Sequence, residues 1–388
     1  MKILWISDPP QTSSAYGQQT ALFVSRLRTA GHEVSILATG NAVMQRLPDG
    51  TLLLPVVSDR HGNSIVASHA KVLGADLVIT LMDPHVFDMS VYQNLPWCAW
   101  APLDFETPTK ATLGVLEKAK WVWSPSKHGV MAYQKAGVAA AHVPHGVDSR
   151  VFDLQDRNDA RSLLATSCGV DIPDNAFLVV AVAANRGTPS RKGFYEMLAS
   201  WKLFTDAHPS ALLYLHTDLT GLGGIGENLY DIMDLVGLKR GVIFPPQYHY
   251  LCGALGPDHL AAAYNAADVY LSTSHGEGFG IGLVEAKMCG CPAVVSDNTA
   301  QTELSQPYER VPTLAYMPFD GATTWRRPIV EDTHNERTVV KALENCWRNQ
   351  GEVDRAGIRD RALPYDVDRV FEQWMVPELN RIAEEIAK

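Results

Sequence analysis

Short apolar segments alternate with helix-like segments along the first 150 residues of this chain. The strand-like runs are Lys2–Ser7, Glu33–Ala38, Asp76–Leu81, Trp97–Ala101 and Trp121–Ser124. A helix-like run, Gln18–Ala30, follows the first strand and stops at Gly31, with apolar residues at helical spacing. Buried strands that alternate with helices are typical of a parallel, doubly wound sheet, and we expect that architecture here.

The same alternation restarts at Phe177. Further strand-like runs begin at Ala211, Val242 and Asp268, and helix-like runs cover Gly193–Ala207, Asn228–Val236 and Asp258–Ala266. Between the two series lies Val151–Asn175, which is charged and polar and which we interpret as a connection between domains. The predicted fold class is therefore α/β, with Rossmann-like domains at residues 1–150 and 151–365 and an amphipathic helix at 366–388.

The net charge of −10 is unevenly distributed. Residues 1–150 carry a net charge of +1, and the remainder carries −11. The acidic part repels polyanions, which disfavours general adhesion to nucleic acid but leaves room for a local site in the near-neutral part. The six cysteines form no C-x-x-C pair, no apolar run is long enough to span a bilayer, and the N-terminus lacks the apolar core of a signal peptide. We therefore expect a cytoplasmic protein without stable membrane insertion.

The most informative segment is Ser272–Leu304, where two carboxylates occur in and after a glycine-rich turn. Glu277 lies in the turn, and Glu285 lies about two helical turns further on, near the same face of a predicted helix. A glycine turn between a buried strand and a helix exposes backbone N–H groups, which attract anions. Carboxylates accept hydrogen bonds from neutral hydroxyls. The combination predicts a site for a sugar attached to a phosphate.

This segment resembles the E-x7-E signature of retaining glycosyltransferases with the GT-B fold, of the glycosyltransferase family 4 or group 1 type. The resemblance implies that Glu277 contacts hydroxyls of the donor sugar and that Glu285 holds the ribose of the nucleotide. The further donor contacts that it implies are Phe279, Gly280, Ile281 and Thr299, with the base against residues between Phe244 and Tyr248. In such proteins two Rossmann-like domains face each other across a cleft, and the C-terminal helix crosses back to the first domain.

Basic residues follow the strand that starts at Phe177, in the segment ANRGTPSRKGF. The family carries an Arg and a Lys-Gly here, so the resemblance assigns Arg186 and Lys192 to the donor diphosphate, with Arg191 as the competing candidate. Positioned cations stabilise the negative charge that a diphosphate gains as it departs. Gly17, in the loop SSAYGQQ, takes the place of a glycine-rich loop that reaches the diphosphate in many relatives.

Many relatives place a histidine after the strand that corresponds to Trp97–Ala101, close to the donor sugar, but this chain has none there. Asp104 is the nearest polar residue. We predict that it either polarises an acceptor hydroxyl or stabilises a developing positive charge, and a role as a loop residue or helix cap stays open. Asp83 and His85 are further candidates. The resemblance implies that the first domain binds the acceptor, a glycan, a small molecule or modified DNA.

The resemblance also implies a UDP- or GDP-type sugar donor in the second domain, retention of configuration, and no bound metal or other cofactor. Other interpretations remain. The segment GLGGIG at Gly221–Gly226 matches a dinucleotide fingerprint, but it neither adjoins a strand nor precedes an acid by about 20 residues, which disfavours an NAD-dependent oxidoreductase. Asp366-Val367-Asp368 and the pair His142 and His145 match metal motifs only weakly.

Two alternatives keep the same ligand chemistry. A phage-type DNA base glycosyltransferase would bind its acceptor through the first domain, where several lysines are close in sequence. These are Lys110, Lys118, Lys120 and Lys127. A non-catalytic sugar-nucleotide binding protein is the second alternative. The sequence does not distinguish among acceptors, and it leaves the oligomeric state open.

Overall fold

The chain folds into two units, each with its own sheet. The computed structural model describes residues 1–221, 224–316, 324–330 and 337–388. Unit 1 consists of Met1–Asp148 together with Tyr365–Lys388, and unit 2 consists of Ser149–Pro364. Among the described residues, no helix combines the length and the apolarity that crossing a bilayer requires.

Unit 1 is built on a largely parallel sheet. Its strands are β1 (Lys2–Ser7), β2 (Glu33–Ala38), β3 (Gln45–Arg46), β4 (Leu52–Leu54), β5 (Leu77–Leu81), β6 (Trp97–Trp100), β7 (Trp121–Ser124) and β8 (Ala141–His142). They lie in the order β3-β4-β2-β1-β5-β6-β7-β8, and β3–β4 is the antiparallel pair. The helices between them are α1 (Ala15–Thr29), α2 (Val66–Leu73), α3 (Met89–Tyr92), α4 (Lys110–Leu116) and α5 (Lys127–Lys135).

Both faces of the unit 1 sheet are covered, as the continuous apolar strands require. Along β1, Ile3 and Trp5 belong to one buried cluster, whereas Leu4 and Ile6 belong to another. The first cluster includes residues of the C-terminal helix, which we define as Val367–Val370, Phe371–Met375 in π geometry, and Val376–Ile386. The buried residues that it contributes are Val367, Val370, Phe371, Met375, Leu379 and Ile382. The C-terminal helix therefore completes the core of the sheet that the first strand begins.

Unit 2 contains a second parallel sheet. Its strands are β9 (Leu178–Val182), β10 (Leu212–His216), β11 (Val242–Ile243), β12 (Val269–Ser272), β13 (Ala293–Ser296) and β14 (Arg310–Val311), in the order β11-β10-β9-β12-β13-β14. A separate antiparallel pair joins β15 (Thr313–Tyr316) to β16 (Trp325–Pro328). The predicted class, α/β with two Rossmann-like parallel sheets, is confirmed.

The helices of unit 2 flank this sheet. They are α6 (Arg157–Cys168), α7 (Phe194–Ala207), α8 (Leu229–Leu235), α9 (Gln247–Leu251), α10 (Pro257–Ala266), α11 (Ile281–Met288), α12 (Gln301–Leu304), α13 (Val339–Arg348) and α14 (Arg355–Ala362). Because β9 and β12 are neighbours, their carboxyl ends lie at the same edge of the sheet. The loops that carry the predicted basic residues and Glu277 follow these two strands.

One segment differs from expectation. The polar stretch that we interpreted as a connection between domains, Val151–Asn175, contains the 12-residue helix α6. Asp156 caps its first turn by accepting hydrogen bonds from two backbone N–H groups, and Leu164 is fully buried on its inner face. Arg161 is also buried, and it pairs with Asp268 and binds several backbone carbonyl groups. The charged composition of this segment did not indicate a helix, because one of its charged residues, Arg161, is paired and buried inside unit 2.

Candidate active site

The glycine turn between β12 and α11 gives the candidate site its backbone. Gly280 precedes α11 with a φ of 103°, in the left-handed region that favours glycine. No side chain caps this end of the helix. The N–H groups of a first helical turn have no partners within the helix, so this end presents donors and the positive end of the helix dipole. This geometry suits an anionic group.

A second loop is held against this turn. The backbone N–H of His275 donates to the carbonyl oxygen of Arg191 at 2.7 Å, and the hydroxyl of Thr273 donates to the carbonyl oxygen of Gly193 at 2.9 Å. A Cβ at Gly193 would lie 2.3 Å from the carbonyl oxygen of Thr273, so only glycine permits this approach. The joined loops bring Arg191 and Lys192, which follow β9, to Glu277, which follows β12.

Glu277 is the centre of this arrangement. Its Oε1 lies 2.5 Å from Lys192 Nζ, and its Oε2 lies 2.9 Å from Arg191 Nη1. The hydroxyl of Ser274 also donates to Oε1, at 2.7 Å. Burial by itself raises the pKa of Glu277, but the charges of Lys192 and Arg191 and the hydrogen bonds from Lys192 and Ser274 outweigh it and lower the pKa to about 2. Glu277 is therefore ionised at neutral pH, and it acts only as a hydrogen-bond acceptor.

Thr299 fixes the backbone of Glu277. Its hydroxyl oxygen accepts a hydrogen bond from the Glu277 N–H at 2.8 Å. Thr299 adopts a φ of 37°, which is unusual for a residue with a branched side chain. Asn298, beside it, donates to the carbonyl oxygens of Ser274 and Arg326 at 2.8 and 2.9 Å. The loop after β13 thus binds the glutamate turn through side chains.

Glu285 lies on α11 in a different environment. The residue is 4% exposed, and its Oε2 accepts a hydrogen bond from the phenol of Tyr264 at 2.9 Å. No cation pairs with it among the residues that the structure describes. Burial raises the pKa of Glu285 to about 7, and the Tyr264 hydrogen bond opposes this effect only in part. Glu285 is therefore protonated far more readily than an exposed glutamate.

Comparison with known proteins places part of unit 2 within a family model. Residues 224–313, which include Glu277, Glu285 and Thr299, match the family model of glycosyl transferases group 1. The resemblance to group 1 glycosyltransferases is confirmed.

The sequence similarity to curated relatives covers only part of each chain. The chain is 30% identical over 154 residues to a D-inositol 3-phosphate glycosyltransferase from Segniliparus rotundus, a match that covers 40% of this chain and 31% of that protein. The chain thus spans about a third of the length of the curated relatives it matches.

Solved structures show the fold over nearly the whole chain. A sucrose-phosphate synthase from Thermosynechococcus elongatus aligns over 98% of both chains, with a TM-score of 0.73 and 15% identity. A glycosyltransferase from Rickettsia africae aligns over 100% of this chain and 98% of that one, with a TM-score of 0.68 and 13% identity. At such low identity these similarities establish the GT-B fold and leave the substrates open.

The two arginine candidates of this glycosyltransferase-like chain differ in position. Arg191 binds Glu277 and also donates to the carbonyl oxygen of Gly276 at 2.7 Å. Arg186 is exposed in the loop after β9, and none of the ion pairs between described residues joins it to Glu277. Lys192 and Arg191 therefore converge on Glu277, whereas Arg186 forms no ion pair with it.

The remaining donor candidates of unit 2 lie around the start of α11. Phe279 is 3% exposed and precedes the glycine, and Ile281 is the first residue of the helix and is half-buried. Gln247, in the segment expected to adjoin the base, is fixed by hydrogen bonds that its side chain makes to Thr217 and Leu219. The roles of these residues toward a ligand remain predictions.

Gly17 belongs to unit 1, within α1. Its N–H donates to the hydroxyl oxygen of Ser14 at 3.1 Å, which caps the helix. A Cβ at this position would lie 2.0 Å from Thr12 Oγ1 and 2.7 Å from the carbonyl oxygen of Pro9. Packing of the preceding loop therefore explains this glycine, and its contact with a diphosphate remains a prediction.

Asp104 lines a pocket of about 110 Å³ in unit 1, together with Asp83, His85, Leu103 and Phe105. These residues follow β5 and β6, which are adjacent parallel strands, so they lie at the carboxyl edge of the sheet where open α/β sheets bind ligands. The phenol of Tyr16 donates to Asp83 Oδ1 at 3.2 Å. All three polar candidates from the sequence thus share one cavity.

The weaker sequence patterns have structural explanations. Of the fingerprint-like segment Gly221–Gly226, residues 222 and 223 lie outside the described residues. A Cβ at Gly221 would lie 2.4 Å from Gly226, so these two glycines permit the loop to close on itself. Asp366 caps the C-terminal helix, and Asp368 pairs with Arg26 at 2.7 Å.

The histidine pair is not arranged as a metal site. His145 is 4% exposed and its ring lies 4.9 Å from that of Trp100, and burial lowers its pKa to about 3. Burial lowers the pKa of His142 to about 4. Among the described residues, no group of three or more potential ligands could hold a metal ion.

Sequence reasoning missed several residues that support the two glutamates. Tyr264 on α10 and Ser274 had no motif to mark them. Thr299 was predicted as a donor contact, but its hydrogen bond with Glu277 was not predicted. Behind the glutamate turn, His275 Nε2 lies 3.2 Å from Glu196 Oε2, and both side chains are buried. A polar residue at the inward position of a buried helix, such as Tyr264, is the signal that sequence analysis could have used.

Proposed function

We propose that this chain is a retaining glycosyltransferase that moves a sugar from a nucleoside diphosphate sugar to a hydroxyl acceptor. The observation that carries the proposal is the ionised carboxylate of Glu277, which two cations hold beside the uncapped start of α11. A carboxylate that only accepts hydrogen bonds suits sugar hydroxyls, and a helix start suits a phosphate.

Different residues of unit 2 bind different parts of the donor. Glu277 accepts hydrogen bonds from hydroxyls of the transferred sugar, and Glu285 accepts them from the ribose. Arg186 and Lys192 neutralise the diphosphate as it departs, and Arg191 orients Glu277. The first amides of α11, around Gly280 and Ile281, bind a phosphate oxygen. The base lies against residues 244–248.

In unit 1, the pocket that Asp104 lines is the proposed acceptor site. Its carboxylates accept hydrogen bonds from acceptor hydroxyls, and its apolar residues contact the body of the acceptor. The acceptor is a glycan or another hydroxyl-bearing small molecule. Modified DNA is disfavoured in this pocket because Asp83 and Asp104, which line it, would repel the phosphates of a nucleic acid.

Substitution proceeds on one face of the sugar through an oxocarbenium-like state. The bond between the anomeric carbon and the diphosphate oxygen breaks, the acceptor oxygen attacks from the same face, and the departing phosphate takes the acceptor proton. The positive charges of Arg186 and Lys192 stabilise the leaving group, so the proposed chemistry needs no metal. Exclusion of water would limit hydrolysis of the donor.

A donor-hydrolysis screen tests the proposal without knowledge of the acceptor. The purified chain is incubated with UDP- and GDP-sugars, and proton NMR follows the released sugar. We expect slow hydrolysis of at least one donor, and the first-formed anomer should have the configuration of the donor. Release of the opposite anomer would overturn retention.

Calorimetry with UDP, GDP and ADP, compared with NAD, separates the proposed function from the other classes. We expect one nucleoside diphosphate to bind and NAD not to bind. Binding of NAD alone would favour an oxidoreductase. Binding of a diphosphate without turnover of any donor would favour a non-catalytic sugar-nucleotide binding protein.

A further inference from the structure

Among the described residues, Tyr264 is the one side chain that hydrogen-bonds to Glu285, and it is deeply buried. Tyr264 lies on α10 and is 0% exposed. Its phenol donates to Glu285 Oε2 at 2.9 Å. The other carboxylate oxygen, Oε1, accepts none of the hydrogen bonds formed between side chains of the described residues. Tyr264 thus fixes one carboxylate oxygen of Glu285, and the other oxygen has no side-chain partner among the described residues.

The surroundings prevent the phenol from moving away. Its ring packs near those of Phe152 and Tyr270, with ring centroids about 6 Å apart. A Cβ at Gly282, on α11, would lie 3.2 Å from the hydroxyl of Tyr264 and 3.1 Å from that of Tyr270. Both phenols therefore press against α11 at the one residue without a side chain, which fixes the register between Tyr264 and Glu285.

Tyr264 remains a hydrogen-bond donor at every ordinary pH. Burial, and then the nearby Glu285 charge, raise its pKa well above the usual value for tyrosine. A donor that cannot ionise favours the carboxylate form of its acceptor over the neutral acid. It therefore opposes the effect of burial, which favours the neutral form of Glu285.

Few other groups influence this charge. The titratable groups that sense it are Tyr264 on α10, Tyr270 on β12 and Cys289 at the end of α11. The charged or titratable residues on the other helices packed against α11 are Arg355, Arg359, Asp360 and Arg361 of α14, Asp258 and His259 of α10, and Glu303 of α12. Arg355 and Arg359 bind carbonyl oxygens near the carboxyl end of α11. On α11 itself, Lys287 pairs with Glu309 at 2.6 Å. The strand β13 (Ala293–Ser296) carries no titratable residue.

We propose that Tyr264 is a positioning residue for Glu285, whose second carboxylate oxygen it directs toward the ribose hydroxyls of the donor. This inference rests on the proposed function, because it takes the ribose contact of Glu285 as given. Only the ionised carboxylate accepts hydrogen bonds from both the phenol and the ribose. Nucleotide affinity should consequently fall as the pH decreases through about 7, the pKa to which burial raises Glu285.

Carbon-13 NMR of the ligand-free chain tests directly whether Tyr264 influences the ionisation of Glu285. Glutamate is labelled at the side-chain carboxyl, and loss of one signal in Glu285→Gln assigns the resonance. We expect a titration midpoint near 7 in the wild type. In Tyr264→Phe, which keeps the ring and removes the hydroxyl, the midpoint should rise by about one pH unit. An unchanged midpoint would overturn the proposal.

Calorimetry with UDP and GDP between pH 6 and 8.5 tests the consequence for binding. Tyr264→Phe should weaken the affinity of the bound nucleotide about tenfold at pH 7 and shift its pH dependence upward. Glu285→Gln should bind weakly and without pH dependence in this range. The matched control is Tyr92→Phe, because Tyr92 is a fully buried phenol of unit 1 with no hydrogen-bond partner among the described residues.

The two measurements separate the two proposals. If neither UDP nor GDP binds the wild type, the proposed function fails, while the NMR titration still decides whether Tyr264 controls Glu285. If a nucleotide binds with the same pH profile in wild type and Tyr264→Phe, the proposed function stands and the positioning role of Tyr264 is wrong. A uniform loss of affinity at every pH would indicate a merely structural role.

Discussion

The turn before α11 and the body of that helix each contain a glutamate, and the pKa values of the two glutamates are shifted in opposite directions. Glu277 in the turn and Glu285 in the helix are both buried, and they are the two glutamates of the E-x7-E motif. Two cations bind the first and lower its pKa to about 2. One phenol binds the second, whose pKa burial raises to about 7. The charge of the partner, and not the extent of burial, decides which form each carboxyl takes.

This difference suits a division of labour. Glu277 stays ionised at neutral pH and is held by two cations. It is therefore a rigid hydrogen-bond acceptor beside the bond that breaks in the proposed reaction. Glu285 has a marginal charge, so its protonation state responds to a ligand that donates hydrogen bonds. Substitutions that neutralise each carboxyl should therefore affect different properties of the protein.

The largest expected effect comes from Glu277→Gln. The amide cannot balance Lys192 and Arg191, and it presents a donor where the sugar needs an acceptor. We expect turnover of the donor to fall about 100-fold or more, while the dissociation constant of the bound nucleoside diphosphate changes less than about threefold. Donor hydrolysis and calorimetry measure the two quantities.

The control for Glu277→Gln is Glu352→Gln, which makes the same chemical change at an exposed position of unit 2. It should leave both quantities at their wild-type values. Retention of more than half of the wild-type turnover by Glu277→Gln would remove Glu277 from the proposed site.

The second effect concerns stability and its dependence on pH. An acid with a raised pKa in the folded state binds its proton more tightly than in the unfolded chain, so folding loses stability as the pH rises from about 4.5 to about 7. Glu285→Gln removes this loss. Relative to the wild type, the variant should gain about 2 kcal/mol in the free energy of unfolding between pH 5 and pH 8.

Urea denaturation at the two pH values measures this gain. Glu277→Gln provides the contrast, because the pKa of Glu277 is lowered and its contribution is lost only as the pH falls below about 4.5 toward 2. The difference between wild type and Glu277→Gln should therefore be constant from pH 5 to pH 8. Equal pH dependence in the two variants would contradict the assigned environments.

The smallest of the three effects separates Arg186 from Arg191. Arg186→Ala combined with Lys192→Ala should weaken nucleoside diphosphate binding about tenfold and also lower turnover, because both cations face the leaving group in the proposed complex. Arg191→Ala should lower turnover and leave the dissociation constant within about threefold, because Arg191 acts through Glu277. Calorimetry and donor hydrolysis supply the readouts, with exposed Arg240→Ala as the control. The reverse pattern would reassign the diphosphate contact to Arg191.

Much of the fold could be predicted from the sequence. The bounds of β1, β2 and β7 agree with the apolar runs predicted to be strands. Strands that are buried on both faces appear in a sequence as continuous apolar segments, which makes them easy to recognise. Helix α6 was not predicted, because its inner face is narrow and includes a buried arginine. Apolar periodicity cannot reveal a helix whose polar residues are neutralised by distant parts of the chain.

The candidate site was predictable to the extent that a motif marks it. Glu277, Lys192 and Glu285 occur in recognisable local patterns, and the structure brings the first two together. Which of Arg186 and Arg191 pairs with Glu277 was not predictable, because the two arginines are separated by only four loop residues, and a loop can direct either side chain toward the glutamate. The hydrogen bonds that join Tyr264 to Glu285 and Thr299 to Glu277 were not predictable, because the paired residues are 21 and 22 positions apart and only the packed fold brings them together.

The position of the C-terminal helix has a consequence for biosynthesis. Six of its residues fill the core of the sheet that begins with Ile3 and Trp5. On a ribosome, the strands of unit 1 emerge first, yet that core stays open until more than 360 residues have been translated. Unit 2 is contiguous in sequence, so it can fold without waiting for the C-terminal helix. The part of the protein that is made first is therefore the part that matures last, and in the interval its exposed apolar face is a substrate for chaperones.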